Sequence, residues 1–220
     1  SSDGIKLHSH REMGLVADIF TEDAIKRLPG SNAIGHVRYS TAGESHLKNV
    51  QPIVVDYARG PLAVAHNGNL VNAKQLKDRL EKEGAIFQAT IDSEVIIHLI
   101  ARSKKEDFIE AVVDGLSQVK GAYSLVFLTE DKIIAARDPH GFRPLCLGRV
   151  DGAWVIASET CALDLIQAEY IRDVEPGEIL VIDKQGLRSI KPFKQKKHSF
   201  CIFELIYFSR PDSRVFGRNV

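Results

Sequence analysis

Short apolar runs separated by tight polar links recur along the chain and read as β-strands: Ala33–Arg38, Leu62–His66, Tyr123–Leu128, Ile133–Arg137, Leu145–Leu147, Trp154–Ala157 and Ile179–Ile182. Thr129-Glu130-Asp131 and Val150-Asp151-Gly152 are short enough to be hairpin connections, which predicts antiparallel neighbours. Three other stretches repeat apolar residues at helical spacing. Asn72–Glu83 buries Leu76 and Leu80, opens on Asn72 with Gln75 three residues later in a capping-box pattern, and stops at Gly84. Asp92–Arg102 carries Val95, Ile96, Leu99 and Ile100. Phe108–Val119 carries Phe108, Val112, Leu116 and Val119, and Gly121 ends it. Helices in the first half and hairpins in the second predict an α+β domain, antiparallel sheet covered by helices, and not a βαβ alternation.

Composition adds bounds. A chain of 220 residues holds one large domain, or one domain and a piece of another. Its 29 acidic and 29 basic residues cancel, so bulk charge draws it to neither nucleic acid nor a membrane surface. No apolar run approaches the roughly 18 residues of a membrane span and no leader is visible, so a soluble, cytoplasmic protein is expected. Cys146, Cys161 and Cys201 are far apart and odd in number, which argues against a disulfide framework. Ser1-Ser2-Asp3-Gly4 running into Ile5-Lys6-Leu7-His8 reads as a turn and strand from the middle of a sheet, and Arg218-Asn219-Val220 carries no stop signal. Both ends are therefore expected to be cut from a longer protein, with the lysine-rich Lys191–Lys197 as a solvated link toward another domain.

The candidate chemistry centres on His66-Asn67-Gly68-Asn69, which follows the apolar run Leu62-Ala63-Val64-Ala65. Alone, Asn-Gly is a favoured tight-turn pair, because both residues tolerate positive φ. At the end of an apolar strand the same pair places a side-chain amide beside a free backbone N–H. Two such donors can stabilise an oxyanion during acyl transfer. Arg38 opens the polar loop Tyr39-Ser40-Thr41-Ala42-Gly43; its planar fork suits a carboxylate, and a surface ion pair is the alternative. Asp92, at the mouth of an apolar helix, is either an N-cap or a seat for an ammonium group. Cys201 lies among apolar residues in Ser199–Glu204 and by itself reads as a small buried side chain.

Together, Gly35-His36-Val37-Arg38-Tyr39-Ser40-Thr41, Ala65-His66-Asn67-Gly68-Asn69-Leu70 and Asp92-Ser93-Glu94-Val95 resemble the class II (N-terminal nucleophile) glutamine amidotransferases in order and spacing. Gly121-Ala122-Tyr123-Ser124, Arg137–Leu145, Ala157–Ala162, Val174–Glu178 and Ile206–Ser213 narrow the resemblance to the amidophosphoribosyltransferase family, over nearly the whole chain. The resemblance implies a four-layer αββα fold with two antiparallel sheets between helices. It implies that residues 1–198 are a glutaminase domain and that 199–220 begin a phosphoribosyltransferase domain. Arg38 would hold the glutamine α-carboxylate and Asp92 its α-ammonium. Thr41 would belong to a closing loop, and Asn67 and Gly68 would form the oxyanion hole.

It implies partners outside these residues as well. The family nucleophile is a cysteine at the mature amino terminus, and this sequence begins with Ser1, so the chain alone is expected to be inactive on glutamine. Cys201 stands where cluster-bearing members have one ligand of a 4Fe-4S centre, which needs four cysteines. Mg2+ and phosphoribosylpyrophosphate would bind the phosphoribosyltransferase domain, and a homo-oligomer is expected of the full-length enzyme. Glucosamine-6-phosphate and asparagine synthases share the class, but Tyr207–Ser213 and Asp138–Leu145 argue against them. A non-catalytic glutamine-binding or assembly module of the same fold is the remaining reading.

Overall fold

The computed structural model describes residues 1–38, 47–194 and 196–220. The chain divides into two compact units whose boundaries cross individual strands. The first comprises Ser1–His66, Leu70–Gly121 and Val126–Ile133; the second comprises Asn67–Asn69, Ala122–Leu125 and Ile134–Val220.

The first unit opens with the short helices α1 (Val16–Ile19) and α2 (Glu22–Lys26), followed by β1 (Ile53–Tyr57) and most of β2 (Gly60–Leu70). The strands pair antiparallel, with Ile53 opposite Val64 and Tyr57 opposite Gly60. β2 is buried without interruption from Leu62 to His66, as a strand covered on both faces must be. Helices α3 (Ala73–Lys82), α4 (Ser93–Arg102) and α5 (Phe108–Gln118) follow. Their buried residues include Leu76, Leu80, Val95, Ile96, Leu99, Ile100, Val112 and Leu116, the stripes that the spacing predicts. A Cβ on Gly115 would lie 3.0 Å from the Ile100 side chain, so glycine lets α4 and α5 approach closely.

The second unit holds part of β3 (Gly121–Leu128), then β4 (Ile133–Arg137), β8 (Ile179–Asp183) and β9 (Gly186–Ile190) in that sheet order. A separate three-stranded sheet places β5 (Cys146–Val150) between β6 (Ala153–Ala157) and β7 (Glu169–Asp173). Helix α6 (Thr160–Leu165) packs Leu163 against Cys146 and Ala168. A two-stranded ribbon, β10 (Arg214–Val215) with β11 (Arg218–Asn219), comes last. The β5–β6 turn is formed by Asp151 (φ 47°) and Gly152 (φ 83°), both left-handed, as a two-residue hairpin requires. The fold class is thus α+β with antiparallel sheets, as expected. Among the described residues no helix is long and apolar enough to cross a membrane.

Four local expectations fail. Ala33–Arg38 forms no strand: Asn32 bridges Ser2, but the six residues after it join no ladder and Val37 is 73% exposed. Ile5–His8 likewise gives only the isolated bridge between Ser2 and Leu7. The strand expected to end at His66 runs on through Asn67 and Gly68 to Leu70. Asn72 does not cap α3 with its side chain. Its amide instead donates to the Gln118 carbonyl at 2.9 Å and accepts the Lys120 N–H at 2.8 Å, joining the start of α3 to the end of α5. In the lysine-rich stretch, the Lys196 N–H donates to the Pro139 carbonyl at 3.1 Å.

Candidate active site

Within the first unit the candidate residues gather around His66, the last interior residue of β2. Gln51 fixes its backbone from both sides: the His66 N–H donates to Gln51 Oε1 at 2.6 Å, and the His66 carbonyl accepts from Gln51 Nε2 at 3.3 Å. The imidazole is buried, with Nδ1 3.0 Å from the Ser93 hydroxyl and 3.6 Å from Asp92 Oδ1. Asp92 occupies the N-cap position of α4 without capping it. Its Oδ2 accepts the Leu70 N–H at 2.7 Å instead. Burial pushes the Asp92 carboxyl up, but His66, the Leu70 N–H and Ser93 outweigh this and hold it below its ordinary value, so it is a carboxylate at neutral pH.

Glu94, next but one, acts instead on the residues ahead of the helix. It accepts the N–H groups of Gln88 at 2.9 Å and Ala89 at 2.7 Å and fixes the loop that leads into α4. Asn49, fully buried, grips the same loop through Thr90, with a 2.9 Å bond to the hydroxyl and a 3.0 Å bond from the N–H. Arg38 is half-buried and lies within electrostatic reach of His36. Burial, then the neighbouring His66 and Arg38, push His36 down to about 4, so it is neutral at physiological pH. Arg38, His36, His66 and Asp92 are therefore electrostatically connected. Thr41 lies outside the described residues.

In the second unit β2 emerges to the surface: Asn67 is half-buried, and Gly68 and Asn69 are exposed. Gly68 adopts φ 154°, where an L side chain is disfavoured, so glycine suits this exit from the sheet. The Asn67 Oδ1 accepts two bonds from Arg143, at 2.8 Å from Nη2 and 3.2 Å from Nε. A guanidinium only donates, so the half of the carboxamide facing it must be the oxygen. The Asn67 NH2 is thereby turned to the opposite side as a donor, one residue from the Gly68 N–H.

The loop that carries Arg143 is clamped by two adjacent charges. Arg137, 2% exposed, donates to the carbonyls of Arg143, Gly141 and Val174 at 2.9, 3.1 and 2.5 Å. Asp138, fully buried, accepts the N–H groups of His140, Phe142 and Tyr123 at 2.9, 3.1 and 3.3 Å. Sequence reasoning placed Arg143 in a motif without a role. The fork of an arginine is a readable signal, but its partner, Asn67, is remote in the sequence.

The cysteines offer no nucleophile of the expected kind. The Cys146 thiol is pushed up to about 12, first by burial and then by Asp173, so it stays protonated. Cys201 is a half-buried free thiol. Among the described residues no three His, Cys, Asp or Glu side chains are grouped as metal ligands.

Comparison with known proteins places the chain in a family. Residues 36–165 match the family described as glutamine amidotransferase domain. Amidophosphoribosyltransferase of Glycine max, a chloroplastic protein, is 56% identical over 97% of this chain and 38% of its own length. The Bacillus subtilis enzyme of that name is 47% identical over 100% of this chain and 46% of its own. A solved structure of glutamine phosphoribosylpyrophosphate amidotransferase from B. subtilis, complexed with ADP and GMP, superposes with a TM-score of 0.94 at 45% identity. It covers 100% of this chain and 48% of that one. The chain thus spans less than half the length of these relatives. With its motifs, its antiparallel α+β fold and its match over residues 36–165, the chain belongs to the glutamine amidotransferase domain family.

Proposed function

We propose that this chain is the glutaminase portion of an amidophosphoribosyltransferase. In this reading the whole enzyme converts glutamine, water and phosphoribosylpyrophosphate to phosphoribosylamine, glutamate and pyrophosphate, the first step of de novo purine synthesis. The observation that supports it most is the Asn67 carboxamide, whose oxygen is occupied by Arg143, which leaves its NH2 as the donor, in the residue next to Gly68 and its N–H. These are the two donors that a tetrahedral oxyanion requires. Arg38 grips the glutamine α-carboxylate with its fork, Asp92 takes the α-ammonium on a carboxylate held ionised, and Thr41 belongs to the closing loop.

A cysteine thiolate attacks the side-chain amide carbon, the C–N bond breaks and ammonia leaves with a proton from the cysteine's own α-ammonium. Water then hydrolyses the thioester to glutamate. Cys146, Cys161 and Cys201 are internal and bear no free α-amino group, so none of them fills this role. Residues 199–220 begin the phosphoribosyltransferase domain, where Mg2+ and phosphoribosylpyrophosphate bind. Cys201 contributes one ligand to a 4Fe-4S cluster whose other ligands lie beyond these residues. The full-length enzyme is a cytoplasmic homo-oligomer.

The test is Asn67→Asp in the enzyme carried with its native flanking sequence. Aspartate keeps the acceptor for Arg143 and removes the donor. Glutamine-dependent turnover should fall about 10²–10³-fold while ammonia-dependent synthesis persists. Unchanged glutamine turnover overturns the glutaminase reading, and glutamine binding without turnover in the unaltered enzyme would favour a binding module.

A further inference from the structure

The guanidinium that orients Asn67 is itself committed on its remaining faces. Arg143 Nη1 pairs with Glu204 Oε1 at 2.5 Å. The Phe208 ring lies under the guanidinium, 4.7 Å from centroid to Cζ. Glu204 is 2% exposed, and burial pushes its carboxyl up against the lowering effect of Arg143. Both residues belong to one compact turn, the 3-10 segment Ile202–Leu205 and the residues after it. The Phe208 N–H donates to the Phe203 carbonyl at 2.9 Å, and the Ser209 N–H donates to the Glu204 carbonyl at 3.1 Å. The Ser209 hydroxyl donates to Glu204 Oε2 at 3.1 Å.

The turn is anchored beyond itself. Glu159 accepts the Arg210 N–H at 2.8 Å and the Ser213 hydroxyl at 2.7 Å. Asn67 thus hangs at the end of a chain of contacts that starts in Ile202–Ser213. Each link restricts the next: a carboxylate and a ring fix the plane of the guanidinium, and that plane fixes the carboxamide. A side chain held in one rotamer by its neighbours is preorganised and loses no stabilisation to reorientation during reaction.

We propose that Arg143 and Glu204 are positioning residues for the oxyanion donor Asn67, so that the Ile202–Ser213 segment sets the rate of glutamine hydrolysis although it carries no reacting group. This rests on the glutaminase reading. A displacement of the turn would change kcat for glutamine rather than its binding, because the Arg38 and Asp92 groups take no part in the relay.

The experiment uses Arg143→Lys and Glu204→Gln in the full-length enzyme, each alone and each combined with Asn67→Ala. A lysine cannot make two bonds to Asn67 and also pair with Glu204. Arg143→Lys should lower kcat for glutamine hydrolysis about 10–100-fold with KM within about twofold. Glu204→Gln, which keeps shape and loses charge, should lower it about 3–10-fold. In an Asn67→Ala background both effects should shrink to within about twofold, since the group they position is gone. Multiplicative losses, or a KM effect at constant kcat, overturn the proposal. If Arg143→Lys fails to accumulate, Glu204→Gln alone decides it by the same criteria. Should Asn67→Ala itself leave glutamine turnover intact, the glutaminase reading fails. If only Asn67→Ala lowers turnover, the positioning role alone fails.

Discussion

The Asp92 carboxylate accepts the Leu70 N–H at 2.7 Å and so joins the start of α4 to the last residue of β2. Asparagine at this position keeps an acceptor for that N–H but carries no charge. Asp92→Asn should raise KM for glutamine about tenfold or more, with little loss of fold. The carboxyl is held below its ordinary value of 3.8, so its stabilisation is present above that pH and is lost as pH falls through the lower folded value. Acid unfolding followed by circular dichroism should therefore begin less steeply in the variant.

Glu178 is a second buried carboxylate whose charge is matched. It takes both Arg172 nitrogens at 2.7 and 2.8 Å, the Ser189 hydroxyl at 2.5 Å and the Glu175 N–H at 2.7 Å. Burial pushes it up, and these four donors more than offset that, leaving it below its ordinary value. Glu178→Gln should cost about 1–3 kcal/mol at pH 7, because Arg172 loses its counter-charge. The deficit should narrow as pH falls below the ordinary value of 4.5 and through the lower folded value, where protonation of the wild-type carboxyl removes the same interaction. Urea unfolding at several pH values measures both.

Gly148 lies in the middle strand of the three-stranded sheet. A Cβ there would stand 2.8 Å from Leu163 Cδ2 and 2.9 Å from the Glu169 carbonyl oxygen. Leu163 can shift, but the backbone oxygen belongs to the β5–β7 pairing in which Arg149 faces Glu169. Gly148→Ala should destabilise by about 1–3 kcal/mol, read as a lower Tm.

The thiols should react in order of accessibility. Cys146 is 3% exposed and its thiol is pushed up to about 12, whereas Cys201 is half-buried. Brief alkylation with iodoacetamide at pH 8, followed by peptide mass analysis, should modify Cys201 first and Cys146 only after denaturation.

Much of the framework was legible because it rests on local periodicity. Leu76 with Leu80, and Val112 with Leu116, place α3 and α5 to within a residue or so, and Ile133–Arg137 matches β4 at both ends. Ala33–Arg38 misled because strand character needs a partner ladder, and no alternation along a chain reports whether one exists. Asn67-Gly68 erred the other way, as the point where the strand was expected to stop. Its local preference for a turn is overridden by the strand that carries it, whose buried half fixes its direction. The site was legible as residue types and illegible as partners. Asp92 by itself read first as a cap, and nothing near Asn67 in sequence announces Arg143 or Glu204. Those contacts depend on chain segments far apart, which tertiary packing alone brings together.

Within the loop ahead of β5, the paired clamp of Arg137 and Asp138 addresses main-chain oxygens and N–H groups. Its grip is blind to what those residues carry on their Cα atoms. The loop therefore behaves as a socket: its contour is stored in two neighbouring residues of opposite sign, and the tool mounted in it, the Arg143 side chain, can be exchanged without recasting the mount.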